Sequence, residues 1–254
     1  MTGVLEGRSA IVTGAGRGIG RAIAAALTAA GATVTVVGRS EDALKETVGK
    51  GDASGYAVAD VTDAARIGDA VKQAVAARGP VDLLIANAGA AESAAFAKTS
   101  PGQFRHMFDL NVMGVVHSAQ AVIGPMVARG QGRIVAVAST AGLKGYGYVS
   151  AYCTAKHAVI GLVKSLAAET AASGVTVNAV CPGYTDTDLV RESLDRIVAK
   201  TGRSREDALG AMLKDNPQKR LVKPEEVAAA VLYLCSPEAA SVTGTALVVA
   251  GGEI

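Results

Sequence analysis

Short runs rich in β-branched residues alternate along this chain with longer stretches in which alanine recurs at helical spacing. That alternation predicts an α/β fold, in which a parallel sheet is covered by helices on both faces and the crossovers are right-handed. Seven runs are predicted strands: Ser9–Thr13, Thr33–Val37, Gly55–Ala59, Val81–Asn87, Gly132–Ser139, Thr176–Cys181 and Thr245–Val249. The intervals are predicted helices: Ile19–Ala30, Glu41–Val48, Ala64–Ala77, Gly102–Arg129, Ser150–Ala172 and Glu225–Cys235.

Length and composition restrict the class of protein further. The chain has 254 residues, half of them hydrophobic, and no repeat or linker divides it, so we expect one domain over residues 1–254. No run of about 18 uncharged apolar residues suggests a membrane span, and the first residues lack the apolar segment of a signal peptide. We therefore expect a cytoplasmic protein without a membrane partner.

Charge and cysteine content point to no macromolecular partner or metal. A net charge of +2 is too small for the electrostatic footprint of a nucleic-acid-binding protein. Cys153, Cys181 and Cys235 are widely spaced and form no CxxC pair, so neither a disulfide framework nor a zinc site is indicated. Buried small side chains in a reducing compartment are the simpler interpretation of these cysteines.

The first predicted strand runs directly into a glycine-rich segment and then into the first predicted helix. The segment reads Gly14-Ala-Gly-Arg-Gly-Ile-Gly20. Gly14 allows a tight turn, and the missing side chains at Gly16 and Gly18 allow backbone N–H groups to approach a pyrophosphate. Gly20 allows close helix packing, and the helix N-terminus carries partial positive charge. The unit predicts a dinucleotide site in a doubly wound (Rossmann) fold.

The end of the second predicted strand distinguishes the two nicotinamide dinucleotides, because an acid there binds the ribose and repels a 2′-phosphate. No acid stands at Gly38, whereas Arg39 and Arg17 offer guanidinium groups that suit a phosphate. We therefore expect NADP(H) to be preferred, although an NAD(H) enzyme could also use Arg39, by stacking it on the adenine. Asp60 and Val61, after the third strand, are expected to lie beside the adenine.

Three residues with transferable protons occur in the second half of the chain. Ser139 stands at a strand end, and Tyr152 and Lys156 are four apart, on one face of a predicted helix. A phenol with a pKa of about 10 is a poor base at neutral pH, but a neighbouring ammonium and an oxidised nicotinamide favour the phenolate. The pattern predicts an acid–base Tyr152 tuned by Lys156, although the spacing alone more often marks a packing Tyr beside a surface Lys.

These segments together resemble the short-chain dehydrogenase/reductase family over nearly the whole chain. The segments that carry the resemblance are Thr13-Gly-Ala-Gly-Arg-Gly-Ile-Gly20 (TGxxxGxG), Ala86-Asn-Ala-Gly89 (NNAG), Asn111, Ser139, Tyr152-Cys-Thr-Ala-Lys156 (YxxxK), Pro182-Gly-Tyr-Thr-Asp-Thr187 (PGxxxT) and Val249-Ala-Gly-Gly252 (DGG). Ala86 and Ala250 depart from the family pattern, at supporting positions outside the predicted catalytic set. The departures bear on local loop stability rather than on the chemistry.

The resemblance implies that hydride transfer interconverts a ketone and a secondary alcohol. Tyr152 would exchange a proton with the substrate oxygen, which Ser139 would also hydrogen-bond. Lys156 would bind the ribose and, with a water near Asn111, pass protons from solvent. Thr187 and the backbone near Thr185 would hold the carboxamide. The residues expected to bind the cofactor are Gly14, Arg17, Gly18, Ile19, Gly20, Arg39, Asp60, Val61, Asn87, Ala88, Gly89, Tyr152, Lys156, Pro182, Gly183, Thr185 and Thr187.

One region interrupts the alternation of strands and helices. Residues 188–223 carry nine basic and six acidic side chains and are predicted to be a helical insertion with a net charge of +3. The insertion is either a substrate lid or a solvated helical hairpin. With Ala90–Ala95 and Ala141–Val149 it should bound a small apolar pocket, which Tyr146 and Tyr148 either narrow or only pack beside.

The basic excess of the insertion and the overall resemblance favour a 3-oxoacyl or 3-hydroxyacyl substrate, including a coenzyme A or acyl-carrier thioester. A cyclic, aromatic or sugar alcohol remains an alternative, because a fold does not determine a substrate. A non-catalytic dinucleotide-sensing scaffold is the alternative from another class, and the presence of Ser139, Tyr152 and Lys156 argues against it. The resemblance also implies a homotetramer that pairs the helices Gly102–Arg129 and Ser150–Ala172.

Overall fold

The seven predicted strands are all present in the computed structural model, which describes residues 3–254 apart from the side chains at positions 189 and 200. They are β1 Ser9–Thr13, β2 Thr33–Gly38, β3 Gly55–Val58, β4 Leu83–Ala86, β5 Gly132–Val137, β6 Val175–Pro182 and β7 Ala246–Val249. The strands form one parallel sheet in the order β3-β2-β1-β4-β5-β6-β7. This is the predicted doubly wound α/β fold.

Helices cover both faces of the sheet. Within the described residues they are α1 Gly18–Ala29, α2 Glu41–Gly49, α3 Ala64–Arg78, α4 Pro101–Phe108, α5 Gly114–Arg129, α6 Ser150–Thr170, α7 Asp188–Thr201, α8 Arg205–Met212 and α9 Pro224–Cys235. The prediction of one regular helix over Gly102–Arg129 is wrong, because a π turn at Asp109–Met113 joins α4 to α5. In that turn the hydrogen bonds widen to i→i+5.

The core lies in two apolar layers. Ile67 of α3, Val115 of α5 and Val159 of α6 are buried against one face of the sheet. Ile23 of α1 and Val227 of α9 are buried against the other face. Both layers also contain many buried alanines. Their small side chains allow the helices to approach the sheet closely, and this explains why the helical stretches are so rich in alanine.

The strands that follow β1 are added first on one side of it, as β2 and β3, and then on its other side, starting with β4. β1 pairs with β2 on one side and with β4 on the other, so the loops after β1 and β4 diverge at the carboxyl end of the sheet. In open α/β sheets a ligand-binding crevice forms outside the carboxyl ends of the strands at this point. The fold therefore places the glycine-rich segment and Asn87–Gly89 on opposite sides of one crevice.

The continuous helical segment Pro101–Arg129 is also long and apolar enough, by length and composition, to cross a membrane. It contains α4, the π turn and α5, and 44% of its most apolar window is buried inside the fold. Met107, Val115 and Val122 on this segment belong to the apolar layer described above. Core helices of this kind meet the same length and composition criteria as membrane helices.

The predicted helical insertion is present as α7 and α8. Val190 and Leu194 of α7 pack with Ala208 of α8 in a small apolar cluster of their own, separate from the two main layers. A parallel bridge between Thr185 and Val222 ties the two ends of the insertion together. The insertion is thus a compact helical unit held at its base, beside the carboxyl end of β6.

Candidate active site

The glycine-rich segment forms the turn between β1 and α1. Gly14 has a φ of +65° and lies so close to the end of β4 that a Cβ there would sit 2.7 Å from the Cα of Ala88. α1 begins at Gly18, whose φ is +55°, and among the described residues neither a side-chain cap nor an acidic residue occupies its first turn. The first N–H groups of α1 are therefore left for an outside acceptor, which suits a phosphate.

The end of β4 is tied to the glycine-rich segment by hydrogen bonds. The Asn87 side chain donates to the carbonyls of Thr13 and Gly14 at 3.0 and 3.1 Å. The backbone N–H groups of Asn87 and Ala88 both donate to the Thr13 hydroxyl at 3.1 Å. Thr13 thus fixes both loops of the crevice. It was not among the predicted site residues, although its place at the end of β1 was a signal for such a role.

Arg39 and Asp60 lie together at the ends of β2 and β3. Their side chains approach to 3.9 Å, and 76% of the Arg39 side chain is exposed. Hydrogen bonds from the backbone and side chain of Thr62 lower the pKa of Asp60, and Arg39 adds to the effect. Val61 is buried, and its carbonyl is 2.9 Å from the Nδ1 atom of His117.

A cleft of about 1100 Å³ runs along the carboxyl end of the sheet. The four predicted catalytic residues line it. The predicted cofactor-binding residues that line it are Gly14, Arg17, Gly18, Ile19, Gly20, Asn87, Gly89, Tyr152, Lys156, Pro182, Gly183, Thr185 and Thr187. Arg39, Asp60, Val61 and Ala88 lie outside this lining in the described part of the chain. Residues of all three predicted pocket stretches, including α7 and α8, line the other part of the cleft.

Asn111 lies in the π turn and is completely buried. Its Nδ2 atom donates to the carbonyls of Ala90 and Met107, each at 3.0 Å. Its Oδ1 atom is buried with no partner among the described residues, a situation that costs about 1–3 kcal/mol unless a water or ligand donates to it. Gly89 leaves room for this amide, because a Cβ there would lie 2.6 Å from Oδ1.

Ser139, Tyr152 and Lys156 converge on the same part of the cleft. Ser139 follows β5 and hydrogen-bonds the hydroxyl of Tyr152. Lys156 is buried; its ammonium donates to the carbonyl of Val137 at 3.0 Å and lies 5.6 Å from the centre of the Tyr152 ring. Both Tyr152 and Lys156 come from the first two turns of α6, so one helix sets their relative position.

Burial dominates the protonation of this group. It raises the pKa of Tyr152 to about 12, and the hydrogen bond from Ser139 opposes the rise. Burial also lowers the pKa of Lys156 to about 8. Burial is thus the largest influence on the pKa of Tyr152 in the protein without a cofactor, and the tuning of Tyr152 by Lys156 together with an oxidised nicotinamide stays a prediction. Tyr152 therefore stays protonated at neutral pH.

The segment after β6 borders the glycine-rich segment. Thr185 donates to the carbonyl of Gly183 at 3.0 Å. Thr187, the residue immediately before α7, has its Cγ2 atom 3.3 Å from where a Cβ of Gly18 would be. Arg17 extends to the first turns of α7, where Asp188 and Glu192 lie within 3.9 and 3.8 Å of its guanidinium. The insertion and the glycine-rich segment are thus in contact.

A buried carboxylate, that of Glu253, lies behind one of the residues that line the cleft. Glu253 accepts a hydrogen bond from the hydroxyl of Tyr146, 107 positions earlier in the chain. The sequence contained no signal for this pair, because nothing local marks a contact over such a separation. The motifs therefore did not indicate this contact.

These features fit a nicotinamide dinucleotide. The glycine cradle and the uncapped start of α1 suit its pyrophosphate, and the unpaired Oδ1 atom of Asn111 marks a place for a donor beside Lys156. Within residues 3–254, no three His, Cys, Asp or Glu side chains lie together as a metal site would require. The donor set is thus one of backbone amides, hydroxyls and cationic side chains.

Comparison with known proteins identifies the family. Residues 8–197 match the model of the short chain dehydrogenase family. The chain is 38% identical to the 3-oxoacyl-[acyl-carrier-protein] reductase FabG of Vibrio harveyi, covering 98% of each chain. It is 37% identical to a D-beta-hydroxybutyrate dehydrogenase of Cupriavidus necator, covering 99% of each.

Solved structures agree with this assignment. The crystal structure of a single-residue variant of actinorhodin polyketide ketoreductase with NADPH superposes with a TM-score of 0.93 at 36% identity, covering 100% of this chain and 99% of that one. The resemblance inferred from the motifs is therefore confirmed at the level of family and fold. The protein belongs to the short chain dehydrogenase family of NAD(P)(H)-dependent oxidoreductases.

Proposed function

We propose that this enzyme interconverts a ketone and a secondary alcohol, with Tyr152 as its acid–base residue. The observation that carries the proposal is the Tyr152 hydroxyl, which lines the cleft and is hydrogen-bonded to Ser139 beside the buried ammonium of Lys156. A nicotinamide dinucleotide supplies or accepts the hydride when it is bound. The chain itself holds the substrate oxygen and moves the proton.

In the reducing direction Tyr152 donates its proton to the carbonyl oxygen as negative charge develops there. A pKa of about 12 keeps the hydroxyl protonated at neutral pH and therefore ready to donate. Ser139 donates a second hydrogen bond to the same oxygen, and a donor in such a position contributes about 2.7–4 kcal/mol to stabilisation of the transition state. In the oxidising direction Tyr152 must first be deprotonated, which the charge of Lys156 favours.

Lys156 and Asn111 supply the route by which the proton of Tyr152 is replaced. The Lys156 ammonium is 3.6 Å from where a Cβ of Gly89 would be, and that position is 2.6 Å from Oδ1 of Asn111. A water held by the unpaired Oδ1 atom lies between Lys156 and solvent in this scheme. Lys156 also holds the nicotinamide ribose, so it couples cofactor binding to proton transfer.

The remaining residues bind the cofactor. The glycine-rich segment and the N-terminus of α1 hold the pyrophosphate. Asn87, Ala88 and Gly89 pass beside the ribose, and Asp60 and Val61 meet the adenine. Pro182, Gly183, Thr185 and Thr187 hold the carboxamide. Of the residues named here, Asn87, Gly89, Pro182, Gly183, Thr185 and Thr187 line the cleft.

We further propose that NADP(H) is preferred over NAD(H). Arg39 is mostly exposed, and its pair with Asp60 spans 3.9 Å, so exchange of that carboxylate for a phosphate costs little, about 0–1 kcal/mol. Arg17 is also exposed, and its ion pairs with the exposed side chains of Asp188 and Glu192 span 3.9 and 3.8 Å. β2 ends at Gly38 without a carboxylate that would repel a 2′-phosphate. A similar ketoreductase structure contains NADPH.

The substrate in this proposal is a 3-oxoacyl or 3-hydroxyacyl compound, free or as a coenzyme A or acyl-carrier thioester. Lys98, Arg196 and Arg203 line the part of the cleft covered by α7 and α8, as an anionic carrier requires. The names of two similar proteins, a 3-oxoacyl reductase and a hydroxybutyrate dehydrogenase, support the same class. α7 and α8 act as the lid over this substrate.

A panel of carbonyl compounds with NADPH and NADH, followed at the nicotinamide absorbance, tests the reaction. We expect the highest kcat/KM for a 3-oxoacyl thioester. Turnover confined to cyclic, aromatic or sugar substrates would contradict the proposed 3-oxoacyl substrate class and would still support the proposed ketone–alcohol interconversion. Tight cofactor binding with no turnover anywhere in the panel would instead favour a dinucleotide-sensing scaffold.

We also propose that the 254 residues form one domain and that the enzyme is a cytoplasmic homotetramer. Phe108 and Val127 remain exposed on the segment that contains α4 and α5, which provides an apolar outer face for pairing. Its three cysteines are free and buried, in keeping with a reducing compartment. Sedimentation at micromolar concentration should give a tetramer; a monomer would contradict this assembly.

A further inference from the structure

The side chain of Glu253, the penultimate residue, is only 3% exposed. A carboxylate in such a place is costly unless its partners compensate for the lost water. Lys144 supplies the opposite charge at 3.2 Å, and its ammonium also lies 3.4 Å from the Glu253 carbonyl. The Tyr146 hydroxyl donates to the same carboxylate oxygen, Oε1. The tail of the chain is thus anchored inside the protein by charge and hydrogen bonding.

Tyr146 connects this carboxylate to the cleft. Its hydroxyl is 2.6 Å from the hydroxyl of Thr140, the residue after Ser139. The ring packs edge-on against Tyr184, with centroids 6.2 Å apart and planes at 84°, and Lys144 lies 4.9 Å from its centre. Thr140, Tyr146 and Tyr184 all line the cleft. Tyr146 therefore lines the cleft, and its hydroxyl is held by Glu253.

The hydroxyl of Tyr146 has two hydrogen-bonding partners, Thr140 and Glu253. Burial and the hydrogen bond to Glu253 raise the pKa of its hydroxyl, so it remains a neutral donor to the carboxylate while Thr140 donates to it. The other oxygen of Glu253, Oε2, is buried without a hydrogen-bond partner among the described residues and lies against Gly183, where a Cβ would approach it to 2.9 Å. Oε1, the oxygen that Lys144 and Tyr146 share, therefore carries the polar contacts of this carboxylate.

We propose that Glu253 is a positioning residue that, through Tyr146, fixes the wall of the substrate end of the cleft and so sets the size of ketone that is accepted. The proposal rests on the proposed function, because it concerns which ketones reach Tyr152. Glu253 touches neither the reacting atoms nor the glycine-rich segment after β1, but its Oε2 atom lies against Gly183, so the binding of NADPH is measured beside the substrate preference. Its effect is on substrate fit and not on the proton transfer.

The test compares a small and a bulky 3-oxo ester with wild-type enzyme and with Glu253→Ala. Loss of the hydrogen bond to the carboxylate frees the Tyr146 ring. We expect KM for the small ester to rise about tenfold, as loss of one charge-assisted hydrogen bond implies, while the dissociation constant of NADPH changes less than about twofold. The ratio of kcat/KM for bulky over small ester should rise by at least the same factor.

Two further variants keep the test valid if Glu253→Ala does not fold. Tyr146→Phe keeps the ring and removes only the donor, and Glu253→Gln keeps an acceptor for Tyr146 without the charge. Glu253→Gln should restore most of the wild-type preference, and Tyr146→Phe should shift it in the direction of Glu253→Ala. Ile254→Ala, an exposed neighbour in the same tail, is the matched control and should leave the preference unchanged.

The outcomes separate this proposal from the proposed function. Active wild-type enzyme whose size preference is the same in Glu253→Ala, Glu253→Gln and Tyr146→Phe would overturn the role of Glu253. Equal losses for both esters and for NADPH binding would also overturn it, because they show a structural role alone. Wild-type enzyme that reduces no ketone would instead contradict the proposed function itself.

Discussion

A Cβ atom on residue 89 would lie 2.6 Å from the side-chain oxygen of Asn111, so Gly89 and Asn111 share a space that only glycine leaves open. The separation is far shorter than a van der Waals contact. The Asn111 amide cannot simply move aside, because its nitrogen donates to two carbonyls at 3.0 Å. The end of β4 and the π turn therefore depend on each other for their geometry.

Gly89→Ala should consequently displace Asn111 and disturb Lys156, whose ammonium is 3.6 Å from the same Cβ position. We expect kcat to fall by about 10²-fold, the cost of a misplacement of roughly 1 Å in a catalytic group. The matched control is Gly68→Ala in α3, where a Cβ meets nothing within 4 Å. That variant should keep full activity and gain up to about 1 kcal/mol in stability. Unchanged turnover in Gly89→Ala would show that the loop adapts.

Tyr152→Phe removes the acid–base hydroxyl and leaves the ring in place. Turnover should fall by about 10²–10⁴-fold, the usual contribution of a general acid–base group, while NADPH binding measured by fluorescence titration is retained. Tyr56→Phe is the matched control, because the Tyr56 hydroxyl bonds the exposed Glu41 and neither residue lines the cleft. Near-normal turnover of Tyr152→Phe would remove Tyr152 from the mechanism.

Arg39→Ala tests the cofactor preference. If Arg39 binds the 2′-phosphate, kcat/KM with NADPH should fall about tenfold, as expected for loss of one charge-assisted contact, while the value with NADH stays nearly constant. Arg66→Ala removes an equally exposed arginine whose partner is Asp63 and should alter neither value. Wild-type preference for NADH, or equal losses with both cofactors in Arg39→Ala, would contradict the proposed preference.

Burial of Lys156 should appear in the pH dependence of stability. Its pKa in the folded protein is about 8 against an ordinary 10.5, so between these values the unfolded chain binds a proton that the folded protein does not. The free energy of unfolding therefore rises with pH across this window by about 3 kcal/mol on account of Lys156. Below pH 8 Lys156 is protonated in both the folded and the unfolded protein, so the folded protein bears the full cost of burying its charged ammonium group.

Denaturant titrations of wild type and Lys156→Met between about pH 7 and pH 10.5 measure this effect. The variant should gain stability relative to wild type at the lower end of this range and lose that relative gain toward the upper end. Comparison of the two proteins cancels the opposing contribution of Tyr152, because Lys156 is not among the causes of its raised pKa. A constant difference between the two proteins across this range would show that Lys156 is not desolvated.

The seven strands and the doubly wound fold class could be predicted, because strands buried on both faces of a sheet appear as continuous apolar runs between helices. β1, for example, is buried at every position. The grouping of Ser139, Tyr152 and Lys156 could be predicted because each stands at a motif position, and the parallel sheet brings the ends of β5 and α6 together. The structure shortens β5, so that Ser139 follows the strand and caps the short turn Thr140–Gly142.

Other features depend on contacts that no local pattern encodes. Tyr146 and Glu253 are separated by 107 positions. A glutamate outside any predicted helix or strand is usually exposed, so nothing in the sequence indicated that Glu253 is buried. The effect of burial on the pKa of Tyr152 depends on how many atoms surround the hydroxyl, which spacing on a helix does not specify. The π turn differs from a regular helix by one residue, too little to alter an apolar periodicity.

That one residue has a geometric consequence for the helical segment from Pro101 to Arg129. Each residue of an α-helix advances the chain by about 100° around the axis, so an added residue rotates everything before it relative to everything after it. Deletion of one residue between Asp109 and Met113 would act as a rotation more than a shortening. The number of residues in the π turn thus sets the rotation of α4 relative to α5 about the helix axis. Homologous chains can be aligned through this segment only if they have the same number of residues there.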